Sequence, residues 1–465
     1  MILHRSAYTL AEPWTDGRGI LINTLSGASH VVDARLVALA RDAAQLADDD
    51  PRLAALADVE PEAAALLADN GYYVESTEAE AMVARALARR RRTEAPAEAE
   101  PKYVLALTMA CNLACAYCWQ AIDLGPARNE GPAINEERLD AALSFIAADM
   151  ARRGKASGTL SLFGGEPFIS PASASLLDAI AARAPAGLRL HAATNGKLLH
   201  HFAPRLTELN VSIQVTIDGL EDGPGGEPVA TRAGQPLPRL LPTLRALSRD
   251  LDAGCFLRFL VTPATLPHFL RLAELVHGDG WGPHLRLGVA PVQAKAAGAR
   301  AAASKTDMLA RVVTAMAGRA YRHHVDYMDW RGLSLLRHLR MGEDRLPYPS
   351  FSHCEANNGL LGLGPDGLVH ACYEGIGEEA FAIGRYWPDP AIDGRRHAEY
   401  LERSAFTVKG CEACAAAPLC GGGCQVRGRK RNGAFDAPHC DEALDQMAYV
   451  LRNWSSVMDM LTGAP

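Results

Sequence analysis

Three cysteines on one short stretch are the residues of this chain whose types and spacing best suit chemistry. Cys111, Cys115 and Cys118 stand in the run Cys-Asn-Leu-Ala-Cys-Ala-Tyr-Cys, directly after the mostly apolar stretch 103–108. Three thiolates on one loop can bind three irons of a [4Fe–4S] cube, which leaves the fourth iron open to a small chelating ligand. A zinc knuckle, or three cysteines buried in a core, is the simpler alternative.

Seven further cysteines are clustered in the last quarter of the chain. They are Cys354, Cys372, Cys411, Cys414, Cys420, Cys424 and Cys440. The total of eleven is high and odd, which in a reducing compartment favours metal ligands over a disulfide framework. A zinc ribbon is the alternative here, since a two-residue gap between cysteines also suits zinc. The solitary Cys255 is expected to be a buried strand residue.

Length and composition limit the classes of protein. A chain of 465 residues can bury a large core and is expected to hold two or three domains. The net charge of −7 excludes a general basic field that would attract nucleic acid. The N-terminal residues lack the apolar core of a signal peptide, and we find no apolar run long enough for a membrane span. We therefore expect a cytoplasmic protein with neither nucleic-acid nor membrane partners.

Strand-like and helix-like patterns alternate along residues 102–300. The expected strands are 103–108, 158–163, 188–194, 211–217, 255–261 and 285–290. Repeated βα units predict a parallel sheet with right-handed crossovers. Six of them predict an α/β fold of the partial (β/α)6 TIM type, in which chemistry lies on the loops that follow the strands.

The polar and glycine-rich motifs occur where these strands are expected to end. Cys111 follows the first strand, Gly164-Gly165-Glu166-Pro167 ends the second, Thr194-Asn195-Gly196 ends the third, and Thr216-Ile217-Asp218-Gly219 ends the fourth. Each motif alone is ordinary turn chemistry. Four in order, each at a strand end, favour a shared site at one edge of the sheet.

From about residue 102 onwards this order resembles that of the radical S-adenosylmethionine (SAM) enzymes. In that family the open iron binds the amino and carboxylate groups of SAM, and an electron from an external donor of flavodoxin or ferredoxin type yields a 5′-deoxyadenosyl radical. The resemblance implies that Cys111, Cys115 and Cys118 hold this cluster. It implies SAM contacts at Tyr117, Gly164, Gly165, Glu166, Pro167, Thr194, Asn195, Thr216, Asp218 and Arg232. Arg258 is a second candidate for the SAM carboxylate, or a structural ion-pair residue.

The seven C-terminal cysteines resemble the SPASM extension of radical SAM enzymes, which carries two auxiliary iron–sulfur clusters, taken here as [4Fe–4S]. The resemblance implies one cluster held by Cys411, Cys414, Cys420 and Cys440. It implies a second held by Cys354, Cys372 and Cys424, with one iron lacking a cysteine. That iron could bind water, a side chain such as His353 or His370, or the substrate.

The expected domains are an α+β unit at 1–95, a linker at 96–101, the barrel at 102–300, a helical bridging segment at 301–350 and a cysteine-rich iron–sulfur domain at 351–465. Strands are expected near 19–24, 30–32 and 71–74. Their order loosely resembles small winged-helix-like domains that bind leader peptides by strand addition. A simple cap over the barrel fits the same pattern equally well.

The favoured function is a peptide maturase that forms an oxidative crosslink (thioether, C–C or C–O) in a ribosomally made precursor peptide. The alternative is an anaerobic sulfatase maturase that generates formylglycine. In that group an aspartate follows the cysteine equivalent to Cys372, whereas Tyr373 stands here. A small-molecule dehydrogenase and a non-enzymatic iron–sulfur scaffold are less favoured.

No catalytic residue is identified from the sequence. The acid–base candidates are Asp326, Asp329, Tyr373, Glu374 and Glu378, each with a solvated surface role as the simpler alternative. The basic run 427–431 is expected to be solvated.

Overall fold

An α+β unit begins the chain. The computed structural model describes residues 2–47, 49–118, 120, 131–278, 280–292, 303–338 and 349–462. The strands of this unit are β1 (Ile2–Arg5), β2 (Thr9–Pro13), β3 (Arg18–Asn23), β4 (Ser29–Asp33), β5 (Gln45–Ala47) and β6 (Tyr73–Val74). Its helices are α1 (Ala34–Asp42), α2 (Pro51–Ala54), α3 (Ala63–Asp69) and α4 (Thr77–Glu98). The strands form two antiparallel sheets, ordered β2-β3-β4 and β5-β1-β6.

Helix α4 differs from the sequence-based expectation. It continues to Glu98, through residues that were expected to belong to a linker at 96–101. Alanine and glutamate in this segment are strong helix formers and extend a helix that is already formed, although Pro96 is unfavourable within a helix. Only three residues, 99–101, separate α4 from the barrel.

Residues 102–292 form the expected partial barrel. Its elements along the chain are β7 (Lys102–Thr108), α5 (Glu136–Arg152), β8 (Gly158–Gly164), α6 (Ser173–Arg183), β9 (Leu188–Thr194), α7 (Leu199–Glu208), β10 (Ser212–Ile217), β11 (Gly219–Asp222), β12 (Pro228–Arg232), β13 (Gln235–Leu237), α8 (Leu240–Asp250), β14 (Cys255–Val261), α9 (Leu266–His277) and β15 (Leu285–Pro291). Strands β7, β8, β9, β10, β14 and β15 are parallel and lie close to the six expected ranges. Strands β11 to β13 form a small antiparallel sheet.

The barrel strands alternate between two environments, because successive side chains of a strand point to opposite faces. In β8, Leu160 and Leu162 are fully buried in the main hydrophobic core, together with residues of α5 and α6. Their neighbours Ser161 and Phe163 instead line an internal cavity. Cys255 belongs to the core, as expected.

The remaining elements follow the barrel. They are α10 (Lys305–Met316), β16 (Val325–Tyr327), α11 (Arg331–Leu336), β17 (Leu361–Leu363), β18 (Leu368–His370), β19 (Ala382–Arg385), β20 (Ala391–Ile392), α12 (Gly394–Leu401), α13 (Ala417–Cys420), α14 (Gln425–Asn432), α15 (Ala443–Arg452) and α16 (Trp454–Thr462). Short 3-10 helices lie at Arg322–His324, Glu355–Asn358, Tyr373–Gly375 and Glu379–Phe381.

One sheet of eleven strands runs through the barrel and the C-terminal region, in the order β16-β15-β14-β10-β9-β8-β7-β17-β18-β19-β20. Strand β16 lies parallel to β15, so the segment 301–350 is not purely helical as expected. The buried side chains of Val325 and Tyr327 account for this strand. At the other end of the barrel, β17 lies parallel to β7. The C-terminal region therefore continues the barrel sheet.

The N-terminal unit is attached to the C-terminal region. The hydroxyl of Tyr8 donates to the carbonyl of Glu412 over 3.0 Å, and Thr24 Oγ1 donates to the carbonyl of Ala415 over 2.5 Å. The indole N–H of Trp14 donates to the carbonyl of Leu451 in α15 over 2.7 Å. Within the described residues, none of the helices has the length and apolar character that a membrane span requires.

Candidate functional site

A cavity of about 610 Å³ extends from the barrel interior to the C-terminal cysteines. Two groups of thiols line it. They are Cys111, Cys115 and Cys118 from the loop after β7, and Cys354, Cys372 and Cys424 from the C-terminal region. Nine of the eleven residues expected to contact SAM also line the cavity, while Asp218 and Pro167 are not among its lining residues.

The loop after β9 contacts the cysteine loop. Asn195 Nδ2 donates to Asn112 Oδ1 over 2.8 Å and lies 3.8 Å from Cys111 Sγ. Lys197 Nζ donates to the carbonyl of Asn112 over 3.2 Å. Burial raises the pKa of the Cys111 thiol. Asn195, which was expected to contact SAM, thus also holds the cysteine loop in place.

The Gly-Gly-Glu-Pro loop is seated on the backbone that leads into the first cysteine. The N–H of Gly165 donates to the carbonyl of Thr108 over 2.7 Å, and the N–H of Glu166 donates to that of Ala110 over 2.9 Å. A Cβ on Gly165 would lie 2.1 Å from the Ala110 oxygen, so only glycine permits this approach. An ammonium group only donates hydrogen bonds, so carbonyl oxygens of the loop would receive the ammonium of a ligand.

Glu166 connects the second and third loops. Its carboxylate is 1% exposed and accepts hydrogen bonds from Thr194 Oγ1 over 2.6 Å, the Asn195 N–H over 2.6 Å and the Phe168 N–H over 3.0 Å. Burial raises the pKa of Glu166, while these hydrogen bonds act in the opposite direction. These contacts give Glu166 a structural role between loops.

Arg232 projects from the end of β12 into the cavity. Its Nη1 donates to the carbonyl of Thr216 over 3.0 Å, and it also hydrogen-bonds Cys115. Its buried Nε has no hydrogen-bond partner among the described residues. Burial lowers the pKa of this guanidinium, but its electrostatic interactions with Cys115, Tyr117 and Glu166 outweigh burial and raise it overall. A buried guanidinium with a donor to spare fits an anionic ligand group.

Two further expected SAM residues pair with each other. The Tyr117 hydroxyl donates to Asp218 Oδ2 over 2.6 Å, and the Ala233 N–H donates to the same oxygen over 2.9 Å. Burial raises the pKa of Tyr117. In contrast, Arg258 forms an ion pair with Asp329 across the cavity wall. That contact supports the ion-pair role that was the alternative for Arg258.

Electrostatic interactions connect the C-terminal thiols to one another. Burial and the charge of Cys424 raise the pKa of Cys354 to about 12. Burial and the charges of Cys424 and Cys354 also raise the pKa of Cys372. In the other group, burial raises the pKa of Cys411 to about 11, with further contributions from Cys420, Cys414 and Cys440.

These thiol groups fit iron–sulfur clusters. All eleven cysteines are free thiols. Among the residues that the structure describes, no group of His, Cys, Asp or Glu side chains closes around a single metal ion. Neighbouring buried thiols make ionisation of one another less favourable. Thiolates held close together need positive charge between them, and the irons of a cluster supply such charge.

The acid–base candidates separate into two sets. Asp329, Tyr373 and Glu374 line the cavity. Asp326 and Glu378 instead form ion pairs with Arg286 and Lys430 and are not among the lining residues. Tyr373 is 41% exposed, and its ring lies 5.6 Å from that of Phe163 on β8.

The basic run 427–431 is solvated only in part: Lys430 and Arg431 are exposed as expected, whereas Arg427 and Arg429 are partly buried. Arg427 is largely buried, lines the cavity and forms an ion pair with Glu374. Lys430 pairs with Glu378, and Arg429 lies over the rings of Phe381 and Phe435. The reason is that α14 starts directly after Cys424, so its first turns face the cysteine region.

Sequence reasoning did not identify Asn112 or Lys197 as residues that hold the cysteine loop. Asn112 follows Cys111 directly, and Lys197 follows the Asn-Gly turn. Their positions inside these motifs are the sequence feature that could have indicated this role.

Comparison with known proteins agrees with this geometry. Residues 105–275 match the model of the Radical SAM superfamily. The chain contains a radical SAM domain. This domain comprises β7 to α9, and so includes Cys111, Cys115 and Cys118 and the loops that surround them. No curated protein matches the sequence significantly.

Solved structures share the fold of most of the chain. A polyhistidine-tagged form of anSMEcpe with bound AdoMet aligns with a TM-score of 0.58 at 12% identity, over 79% of this chain and 96% of that one. Native anSMEcpe with bound AdoMet and Cp18Cys peptide gives 0.56 at 14%, over 78% and 99%. Streptococcus suis SuiB bound to S-adenosylmethionine gives 0.51 at 14%, over 95% and 99%. At these identities the likeness establishes the fold.

Proposed function

We propose that this radical SAM protein is a peptide maturase that forms an oxidative crosslink in a ribosomally made precursor. The observation that carries the proposal is the cavity shared by two thiol groups. Cys111, Cys115 and Cys118 line one part of it, and Cys354, Cys372 and Cys424 line another. A substrate side chain in this cavity would lie between two iron–sulfur sites.

A crosslink between two residues removes two hydrogens from the peptide. When bound, SAM and the clusters supply abstraction of a hydrogen atom and an acceptor for one electron. The second hydrogen leaves as a proton, and of the five acid–base candidates from the sequence, Asp329, Tyr373 and Glu374 line the cavity. Arg232 orients the SAM carboxylate, and the stacked loops at Gly165 and Asn195 hold the cysteine loop in position. The cavity walls exclude water from the reactive species.

We propose that the N-terminal unit binds the leader of the precursor by strand addition. Strand β4 is an edge strand of its sheet, and Val31 on it is 42% exposed. The other edge strand, β2, packs against α15 of the C-terminal region. An extended peptide can add to an edge of this kind through main-chain hydrogen bonds. anSMEcpe binds AdoMet together with a peptide, which supports a peptide substrate for a protein of this fold.

The cellular setting is also proposed. The protein would act in the cytoplasm with an external electron donor of flavodoxin or ferredoxin type. Its cofactors would be one SAM-binding [4Fe–4S] cluster and two auxiliary clusters.

The test is an anaerobic assay of the reconstituted protein with SAM, dithionite and peptides encoded beside its gene, followed by tandem mass spectrometry. We expect roughly twelve irons, the sum of three four-iron clusters, release of 5′-deoxyadenosine, and a peptide lighter by two hydrogens. Cys115→Ala is the control and should abolish SAM cleavage. Omitting the leader half of the peptide should reduce turnover.

Other outcomes would overturn parts of the proposal. Cleavage of SAM with no change in any peptide would contradict the peptide-maturase function. A product that reacts with a hydrazide probe would contain an aldehyde, and would assign the formylglycine-generating function instead. About four irons would contradict the two auxiliary clusters.

A further inference from the structure

We infer that the carboxylate of Glu374 is the fourth protein ligand of the cluster held by Cys354, Cys372 and Cys424. This inference rests on the proposed auxiliary cluster at those cysteines. Glu374, which stands two positions after Cys372, would take the place of the missing fourth cysteine.

The position of the carboxylate carries the inference. Glu374 lies in the 3-10 helix Tyr373–Gly375, is 6% exposed and lines the same cavity as the three thiols. Its Oε2 is 4.0 Å from Cys424 Sγ. The short turn after Cys372 thus returns the chain to Cys424, which comes from a distant part of the sequence.

Charge provides a second reason. Arg427 Nε donates to Glu374 Oε2 over 2.9 Å, and Nη2 contacts Oε1, so one cation accompanies the carboxylate. As cluster ligands, three thiolates and a carboxylate would carry four negative charges in this buried region, against the guanidinium groups of Arg427, Arg331 and Arg403 that act on Cys354 and Cys424. Burying unbalanced charge is costly. Irons placed among the four groups would balance them, and a carboxylate oxygen is a competent ligand for iron.

The two histidines considered from the sequence are less well placed. His353 lies against Arg331, whose Nη2 is 2.8 Å from Nδ1 and 3.4 Å from Nε2, so a guanidinium covers its ring nitrogens. His370 is fully buried but is not among the residues that line the cavity with the thiols. Tyr373 places its ring beside Phe163, on the barrel side of the cavity.

A carboxylate at this iron has a functional consequence for a peptide maturase. Oxygen is a harder ligand than sulfur, so a substrate thiolate can displace it, whereas a fourth cysteine would resist displacement. Glu374 would hold the iron while no substrate is bound and release it to a thiolate of the peptide.

The test uses the full chain with Cys111, Cys115 and Cys118 replaced by alanine, reconstituted with ⁵⁷Fe. We expect roughly eight irons, from two clusters. Mössbauer spectra should contain one iron site that differs from the all-thiolate sites. In Glu374→Cys that distinct site should disappear without loss of iron. In Glu374→Gln mild oxidation should remove one iron and give a [3Fe–4S] EPR signal many-fold stronger than in the parent.

Two control variants separate ligation from structural effects. Glu378→Gln loses an ion pair with Lys430 outside the cavity and should match the parent. Arg427→Gln removes the guanidinium but keeps the carboxylate, and should retain the distinct iron site. Eight irons with a Glu374→Gln spectrum identical to the parent would overturn the Glu374 assignment alone. About four irons would overturn both the assignment and the proposed pair of auxiliary clusters.

Discussion

At the scale of single residues, Arg232 and Arg258 of the barrel have different partners. Each keeps a buried Nε without a hydrogen-bond partner among the described residues, but Arg258 forms an ion pair with the carboxylate of Asp329, whereas the hydrogen bonds of Arg232 go to the Thr216 carbonyl and to Cys115. A buried guanidinium without a carboxylate partner is stabilised by an anionic ligand group. Arg232 is therefore better suited than Arg258 to hold the SAM carboxylate.

We predict that Arg232→Gln weakens SAM binding by roughly 10- to 100-fold, since a hydrogen bond to a charged group contributes about 1.5–3 kcal/mol. Arg258→Gln is the matched control and should change the SAM dissociation constant less than about threefold. Equilibrium binding of SAM to the reconstituted variants measures both. Equal losses in the two variants would show that Arg232 has no special role.

The sequence allowed some residue roles to be predicted and not others. The partition of the C-terminal cysteines between two clusters stays a prediction that rests on spacing and resemblance. The contacts of Glu166 and Asn195 could not be predicted, since each joins loops that are far apart along the chain. The ion pair between Glu374 and Arg427 could not be predicted either, because the sequence does not distinguish a buried charged pair from one on the surface.

At the scale of elements, the site depends on loops that are stacked at the ends of β7, β8 and β9. The barrel strands could be predicted because their apolar runs are regular and separated by helices. The antiparallel strands β11 to β13 were not predicted, since they lie in a glycine-rich stretch with no clear period. The pairing of β17 with β7 was also missed, because it joins residues about 250 positions apart, and local pattern does not encode partners.

We predict that Gly165→Ala displaces the cysteine loop. Its Cβ would lie 2.1 Å from the Ala110 oxygen, a backbone atom that can move only with the loop. Iron content should fall from roughly twelve to roughly eight, and the free energy of unfolding should fall by about 1–3 kcal/mol. Iron analysis and denaturant unfolding measure the two effects.

Gly394→Ala is the control, because nothing lies within 4 Å of a Cβ there and the residue starts a helix. It should leave iron content unchanged. A Gly165→Ala protein with full iron content would contradict the stacking argument.

At the scale of the whole molecule, the N-terminal unit packs directly on a cysteine-bearing loop. Tyr8, Ala84 and Ala88 share a buried cluster with Phe351, and Cys411 and Cys414 pack against it. The Tyr8 hydroxyl also donates to the carbonyl of Glu412, between those two cysteines. The unit therefore covers one side of the proposed four-cysteine cluster.

We predict that Tyr8→Phe accelerates chelator-driven iron loss several-fold, because the loop at Glu412 loses a hydrogen bond of about 1 kcal/mol. Tyr73→Phe is the matched control. It also loses a buried hydrogen bond, to the carbonyl of Ala43, but within the core of the N-terminal unit. Both variants should lose similar stability, and only Tyr8→Phe should lose iron faster. Equal rates of iron release would contradict this coupling.

The eleven-stranded sheet has a mechanical consequence. Main-chain hydrogen bonds between β7 and β17 join the strand that leads into the first cysteine loop to the hairpin that leads into Cys372. A hinge between the barrel and the C-terminal region would have to break that ladder. The separation of the two thiol groups across the cavity is thus set by backbone pairing. In the proposed maturase, the electron-transfer distance would therefore stay constant while a peptide enters and leaves, and the opening that admits the peptide would come from movement of loops and helices around the sheet.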